Sequence, residues 1–207
     1  MSEIIIVDTG NGNFLSVKRA VEKYNKHVEI SKDERSVKLA KKIILPGVGA
    51  FQNSVKFLKK NKIFKLLKDI SQDKPILGIC LGMQLLFKNS NEFGLCEGLN
   101  LIEGEVRSLR EVNQNKNLKI PNIGWYKLKY NLEHYEVLSK KSDEFYFIHS
   151  FYANKVKNEN LIAYYEFGEI NVPAIVKKEN IIGCQFHPEK SREQGLDIIN
   201  KYINGKI

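Results

Sequence analysis

The sequence predicts an α/β fold: an open, largely parallel twisted sheet flanked by helices, with an added antiparallel segment. Three observations lead there. Apolar runs at residues 3–8, 43–45 and 75–79 lack polar alternation, as strands buried on both faces of a parallel sheet do. Stretches with helical spacing separate them, in a β-α-β rhythm. After Gly94 the rhythm breaks, and half-exposed alternation of the antiparallel kind takes over.

Taken in order, the strand at residues 3–8 ends in the tight turn Thr9-Gly10-Asn11-Gly12-Asn13. Residues 14–24 follow as a helix, with Phe14, Val17, Ala20, Val21 and Tyr24 on one face. The turn has two glycines without a full G-x-G-x-x-G, and no acidic residue closes a second strand about 20 residues on, which argues against a dinucleotide site. A strand at 27–30, a charged helical stretch, the strand at 43–45, helices at 51–58 and 63–67, and the apolar run at 75–79 continue the rhythm. Residues 83–87 have the composition of a buried helix. Beyond Gly94, residues 99–106 and 125–128 alternate as antiparallel strands, with a polar loop at 111–119 expected to be mobile. Further strands are expected at 145–148, 161–165, 174–176 and 181–186, and a last helix at 192–203.

The 207 residues, read as one domain over 1–207, suffice for a sizeable core, and 43% hydrophobic with 28% charged residues reads as globular. No apolar run reaches membrane-span length and no signal-peptide pattern opens the chain, so a cytoplasmic location and no membrane partner are expected. Cys80, Cys96 and Cys184 show neither C-x-x-C pairing nor metal-ligand spacing; free thiols, no metal and no cofactor are expected. The net charge of +9 is mostly lysine spread along the chain, for example Lys38, Lys41 and Lys42 or Lys59, Lys60 and Lys62. Without a recognition motif or stacking platform these read as solvated faces, and nucleic acid is not expected as a partner.

Chemistry concentrates at Gly78-Ile79-Cys80-Leu81-Gly82, a G-x-C-x-G nucleophile elbow. A chain leaving a strand and entering a helix within one residue must strain its backbone, and the flanking glycines remove Cβ atoms that would collide. The elbow would hold the thiol at a helix N-terminus, where thiolate is favoured, with the Leu81 N–H aimed at an oxyanion. Alone, the motif reads more readily as a buried cysteine between packing glycines. Two further segments change the balance. Pro46-Gly47-Val48-Gly49 places a glycine-flanked peptide at a strand's carboxyl end, a second possible oxyanion donor. Phe186-His187-Pro188-Glu189 ends another strand; in an extended segment His187 and Glu189 share a side, so Glu189 could orient a basic imidazole. His27 and His134 have no such neighbours.

Gly78 to Gln84 together with Phe186-His187-Pro188-Glu189-Lys190-Ser191 resembles the triad-type (class I) glutamine amidotransferases, which have a flavodoxin-like fold. Pro46-Gly47-Val48-Gly49-Ala50-Phe51, Gly98-Leu99-Asn100-Leu101-Ile102-Glu103-Gly104 and Ile120-Pro121-Asn122-Ile123-Gly124-Trp125 narrow the resemblance to the glutaminase subunits of imidazole glycerol phosphate synthases. The resemblance implies Cys80 as nucleophile, His187 as general base and acid, and Glu189 as its orienter. It implies an oxyanion hole from Leu81 and the Gly47–Val48 peptide. It implies glutamine held by Gln84 and Glu92 with backbone from Gly49 and from His149-Ser150-Phe151. It also implies ammonia delivery to a (β/α)₈ cyclase partner, for which 207 residues leave no room, with Asn122, Trp125, Tyr126 and Lys190 at the interface. Two departures stand out: the family carries His at Asn122 and Asn at Tyr126. They leave the triad intact and open the acceptor. An alternative is a paralogous subunit supplying ammonia for amidination of a bacterial surface sugar, and a third reading is a catalytically silent binding subunit.

Overall fold

The computed structural model describes residues 2–112, 118–131 and 144–207. Most of the polar loop expected at 111–119, and His134, lie outside these residues. The chain opens with β1 (Ile4–Val7), α1 (Phe14–Glu22), β2 (Val28–Ser31), α2 (Glu34–Leu39), β3 (Lys42–Gly47), α3 (Phe51–Lys60), α4 (Ile63–Ile70), β4 (Ile76–Cys80) and α5 (Leu81–Leu85). The middle contains β5 (Asn89–Ser90), β6 (Cys96–Glu97), β7 (Glu105–Ser108), α6 (Leu109–Val112), β8 (Asn122–Lys127) and β9 (Lys129–Tyr130). It closes with β10 (Glu144–His149), β11 (Phe151–Asn154), β12 (Leu161–Phe167), β13 (Ile170–Lys178), β14 (Ile181–Cys184) and α7 (Arg192–Ile203).

The main sheet runs β2-β1-β3-β4-β14-β13-β12-β9; its first five strands are parallel and the rest antiparallel. Both faces are covered, which is why β1 carries four apolar residues in a row. Ile4 and Ile6 join the core under α1 and α7, while Ile5 and Val7 join the core under α2, α3 and α4. Each such fully buried side chain contributes roughly 1.5–3 kcal/mol. Helix α2 begins where the Asp33 carboxylate accepts the Ser36 N–H at 2.8 Å. Helix α7 is fastened to the sheet at its far end. The Tyr202 hydroxyl sits 2.7 Å from the Ile43 carbonyl, and Lys42 Nζ donates to the Tyr202 and Ile203 carbonyls at 2.9 and 2.6 Å. Lys42 is therefore a half-buried helix C-cap rather than a solvated lysine, and burial holds its ammonium below the usual lysine range.

Three expectations change. Helix α1 stops at Glu22, and Tyr24, expected on its buried face, is 42% exposed beyond that end. Residues 99–104 are not strand: amides here bond to the end of α5 and the turn after it, Leu99 N–H to the Leu85 carbonyl and Leu101 N–H to that of Leu86, both at 2.8 Å. Leu99 and Ile102, three apart, are the buried pair there, so the apparent alternation had no strand partner; β7 begins only at Glu105. The strand expected over 145–148 does form, but as an alternating one, with Phe145 and Phe147 buried and Ile148 exposed. Among the described residues no helix is long and apolar enough to cross a membrane.

Candidate active site

The carboxyl ends of β3, β4 and β14 lie side by side, Gly47 opposite Cys80 and Cys184 opposite Ile79. That is where an open α/β sheet offers a crevice. Cys80 takes φ 54° and ψ −111°, a strained conformation for a residue with a side chain. Its neighbours explain why the strain persists. A Cβ on Gly82 would stand 1.5 Å from the Leu45 carbonyl oxygen, and one on Gly78 would stand 2.8 Å from the Gly82 carbonyl oxygen. Only glycine lets the turn pass between β3 and its own following helix. The thiol is 6% exposed and opens onto a cavity of about 260 Å³; it is not a surface group. Helix α5 is five residues long, so its dipole contributes less to a thiolate than a full helix would.

His187 reaches the same cavity from the end of β14. Its Nδ1 and Glu189 Oε1 are 2.9 Å apart, and the two side chains are 3% and 1% exposed. The pairing is made differently from the extended i, i+2 arrangement expected: Pro188–Lys190 is a turn of 3₁₀ helix. Ser191 clamps that turn, donating to the His187 carbonyl at 2.7 Å and accepting the Tyr146 N–H at 2.9 Å. His187 Nε2 is buried without a hydrogen-bond partner. Burial alone would push this imidazole down, but the Cys80 sulfur, then Glu189, outweigh it and raise the pKa to about 10. The sulfur acts on it first by charge and then as a hydrogen-bonding neighbour, short of a well-aligned bond to Nε2. The arrangement is a buried array of sulfur, imidazole and carboxyl groups.

The same cavity is lined by Val48, Gly49, Leu81, Gln84, Glu92, Ser150 and Phe151. Glu92 accepts the Phe51 N–H at the start of α3 at 2.7 Å; burial raises its pKa, opposed by that hydrogen bond. Gln84 donates from Nε2 to the Phe151 carbonyl at 2.9 Å and to Gln185 Oε1 at 3.0 Å. Gly47 packs against Leu81 rather than lining the cavity. The Val48 N–H donates to the Asn11 carbonyl at 3.4 Å, and the buried Thr9 hydroxyl sits 3.1 Å from both the Asn11 and Pro46 carbonyls. In this state the Gly47–Val48 peptide is turned to the loop after β1.

Of the residues expected at a partner surface, Asn122 is not on the surface. It is 2% exposed, its amide nitrogen donates to the Tyr165 hydroxyl at 2.7 Å, and its amide oxygen accepts from Tyr126 at 2.6 Å. Tyr126 is half-buried. Trp125 is 38% exposed beneath the Arg192 guanidinium, 4.6 Å from its ring centre, and Lys190 is exposed with its ammonium 5.8 Å from the Tyr146 ring. Two polar residues were missed as side chains. His149 is buried, with Nδ1 2.8 Å from the Phe151 carbonyl and Nε2 2.7 Å from the Tyr165 hydroxyl; burial lowers its pKa to about 4. Gln185 is fully buried, 3.8 Å from Cys80 Sγ. Polar residues closing apolar strands were the only trace either left in the sequence.

The glutamine amidotransferase class-I family matches residues 5–204. The imidazole glycerol phosphate synthase subunit HisH 1 of Campylobacter jejuni (strain RM1221) is 43% identical over 204 residues, covering 97% of this chain and 98% of its own. The imidazole glycerol phosphate synthase subunit HisH of Lactococcus lactis subsp. lactis (strain IL1403) is 41% identical over 210 residues, covering 98% of each. The crystal structure of a glutamine amidotransferase superposes with a TM-score of 0.75 at 18% identity, over 97% of this chain and 98% of that one, a likeness of fold.

Proposed function

The chain belongs to the class-I glutamine amidotransferases, and from that premise we propose that it is the glutaminase subunit of an imidazole glycerol phosphate synthase, working in histidine biosynthesis. The observation that carries this reading is identity of about 40% to HisH subunits along nearly the whole chain, on a cavity that joins Cys80 to a buried His187–Glu189 pair. Residues 1–207 are read as one glutaminase domain.

In the proposed reaction the Cys80 thiolate attacks the γ-carboxamide carbon of glutamine, and the oxyanion forms beside the Leu81 N–H. His187, cationic at neutral pH because its neighbours raise it, gives its Nε2 proton to the nitrogen as the C–N bond breaks, releasing ammonia. Neutral His187 then takes a proton from water, which attacks the thioester and frees glutamate and the thiolate. Glu189 holds Nδ1 and keeps Nε2 facing the cavity throughout. Gln84, Glu92, Gly49, Ser150 and Phe151 line the space left for the amino-acid end of the substrate. The ammonia passes to a (β/α)₈ cyclase subunit in a cytoplasmic heterodimer, where imidazole glycerol phosphate and AICAR are made; the exposed Trp125 and Lys190 are read as the docking side, while Tyr126 turns its ring inward. Asn122 and Tyr126, the two departures from the family, satisfy each other and Tyr165 inside the chain, so they give no separate ground for a sugar acceptor.

The test is Cys80→Ala assayed with the cyclase partner and its acceptor. Glutamine-dependent synthesis should vanish and synthesis from added ammonium should survive. Glutaminase activity in the variant would overturn the nucleophile, and a wild-type pair inert toward the acceptor would overturn the pathway.

A further inference from the structure

We propose that Gln185 is a positioning residue for the nucleophile, presenting an amide N–H to Cys80 Sγ in a sense locked by Gln84 and, behind it, by the Phe151 carbonyl. The inference rests on the reading of Cys80 as the nucleophile. Gln185 is fully buried, and its Nε2 stands 3.8 Å from Cys80 Sγ, within reach of an N–H···S contact.

An amide side chain can present either end, so the question is what fixes this one. The Phe151 carbonyl can only accept. It lies 2.9 Å from the Gln84 amide, so Gln84 must turn its NH₂ group there. The second hydrogen of that NH₂ points at Gln185, 3.0 Å away, so Gln185 must answer with its oxygen. That leaves the Gln185 NH₂ for the sulfur. The same carbonyl sets a second arm. His149 Nδ1, 2.8 Å away, must carry its proton, so Nε2 accepts from the Tyr165 hydroxyl, which in turn accepts from Asn122. With its pKa lowered to about 4, His149 holds this single tautomer at neutral pH. One backbone oxygen thus fixes the polarity of two buried chains, and the shorter ends on the reactive sulfur.

A donor aimed at sulfur favours thiolate over thiol and orients the attacking lone pair, so it bears on turnover more than on substrate affinity. Among the described residues, the other titratable groups around the thiol are His187 and Glu189 after β14, Cys184 on β14, His149 at the end of β10, and Glu92 across the cavity. None of them is altered by the substitutions below.

The test uses Gln185→Met and Gln185→Glu in the full chain, following iodoacetamide modification of the Cys80 peptide by mass spectrometry from pH 5 to 10, beside glutaminase kinetics. Gln185→Met keeps the volume and loses the donor. The alkylation midpoint should rise by about one pH unit, roughly what a hydrogen bond to an ionised group is worth. kcat should fall about tenfold, with KM for glutamine within about threefold. Gln185→Glu keeps the shape and the acceptor for Gln84 but faces the sulfur with a carboxylate, so its midpoint should rise at least as far. If Gln185 served only to satisfy Gln84, the neutral Gln185→Met variant would keep the wild-type midpoint, and that result overturns the proposal. If the Met variant proves insoluble, a wild-type midpoint in Gln185→Glu overturns it as well, since a carboxylate facing the sulfur must raise the midpoint. Glutamine hydrolysis by Cys80→Ala would instead remove the nucleophile itself, whatever the Gln185 variants do.

Discussion

At the scale of single residues, the proposed mechanism has His187 and Glu189 divide their work by position. Only His187 faces the cavity; Glu189 touches the imidazole from behind, and its other oxygen is buried without a partner. A group that orients is missed less than one that carries the proton. Glu189→Gln should therefore lower kcat less than His187→Ala, and equal losses in steady-state assays would count against the division. The same pair has a signature in stability. The folded pKa of His187, about 10, lies above the ordinary histidine value near 6.5. Its proton therefore stabilises the fold fully below about pH 6.5, and that contribution is lost as pH rises toward 10. Thermal unfolding of wild type should fall across this window more steeply than that of His187→Ala. That Cys80 and the His-Pro-Glu sequence would share one cavity was legible because the proposed nucleophile and base need particular residue types. Gln185 and His149 were not, because their roles depend on which end of an amide or ring a distant carbonyl selects.

At the scale of elements, the elbow and the β3 turn use glycine for opposite reasons, and substitution should separate them. Gly82→Ala drives a Cβ to 1.5 Å from a backbone oxygen in β3, which cannot move without breaking the sheet. Loss of soluble protein, or a large drop in Tm, is expected. Gly49 has φ +89° and no atom within 4 Å of an added Cβ, so Gly49→Ala meets only backbone strain of about 1–2 kcal/mol. It should fold, with a Tm a few degrees lower and altered glutaminase turnover. Similar Tm losses for the two in calorimetry would refute the distinction. The parallel strands were readable from their unbroken apolar runs, since burial on both faces leaves no other composition. Residues 99–104 misled because apolar residues at short spacing look the same whether they line a strand or fold back under α5. The pairing of His187 with Glu189 was legible while its means was not, because a proline permits both extended backbone and the first turn of a 3₁₀ helix.

At the scale of the whole molecule, the two oxyanion donors read from the sequence are not in the same condition. Leu81 lines the cavity, but the Val48 N–H is spent on the Asn11 carbonyl, which Thr9 braces from the loop after β1. On the proposed mechanism the isolated chain is thus short of one donor, and at 3.4 Å the bond that diverts it is a weak one. Val48 and Gly49 are exposed beside the mouth of the cavity, where a docking partner could displace that bond and turn the peptide inward. The logic is economical for an enzyme whose ammonia is useful only where an acceptor waits. Partner binding need supply only the difference between two states of one peptide. One added oxyanion donor is worth roughly 10²–10³ in rate. Glutaminase turnover should accordingly be low alone and rise by up to that factor when cyclase and acceptor are both bound. Thr9→Val, which removes the brace without touching the cavity, should raise the rate of the isolated chain and narrow the gap. Equal turnover alone, with partner, and with partner plus acceptor would sink the gate and leave the triad standing.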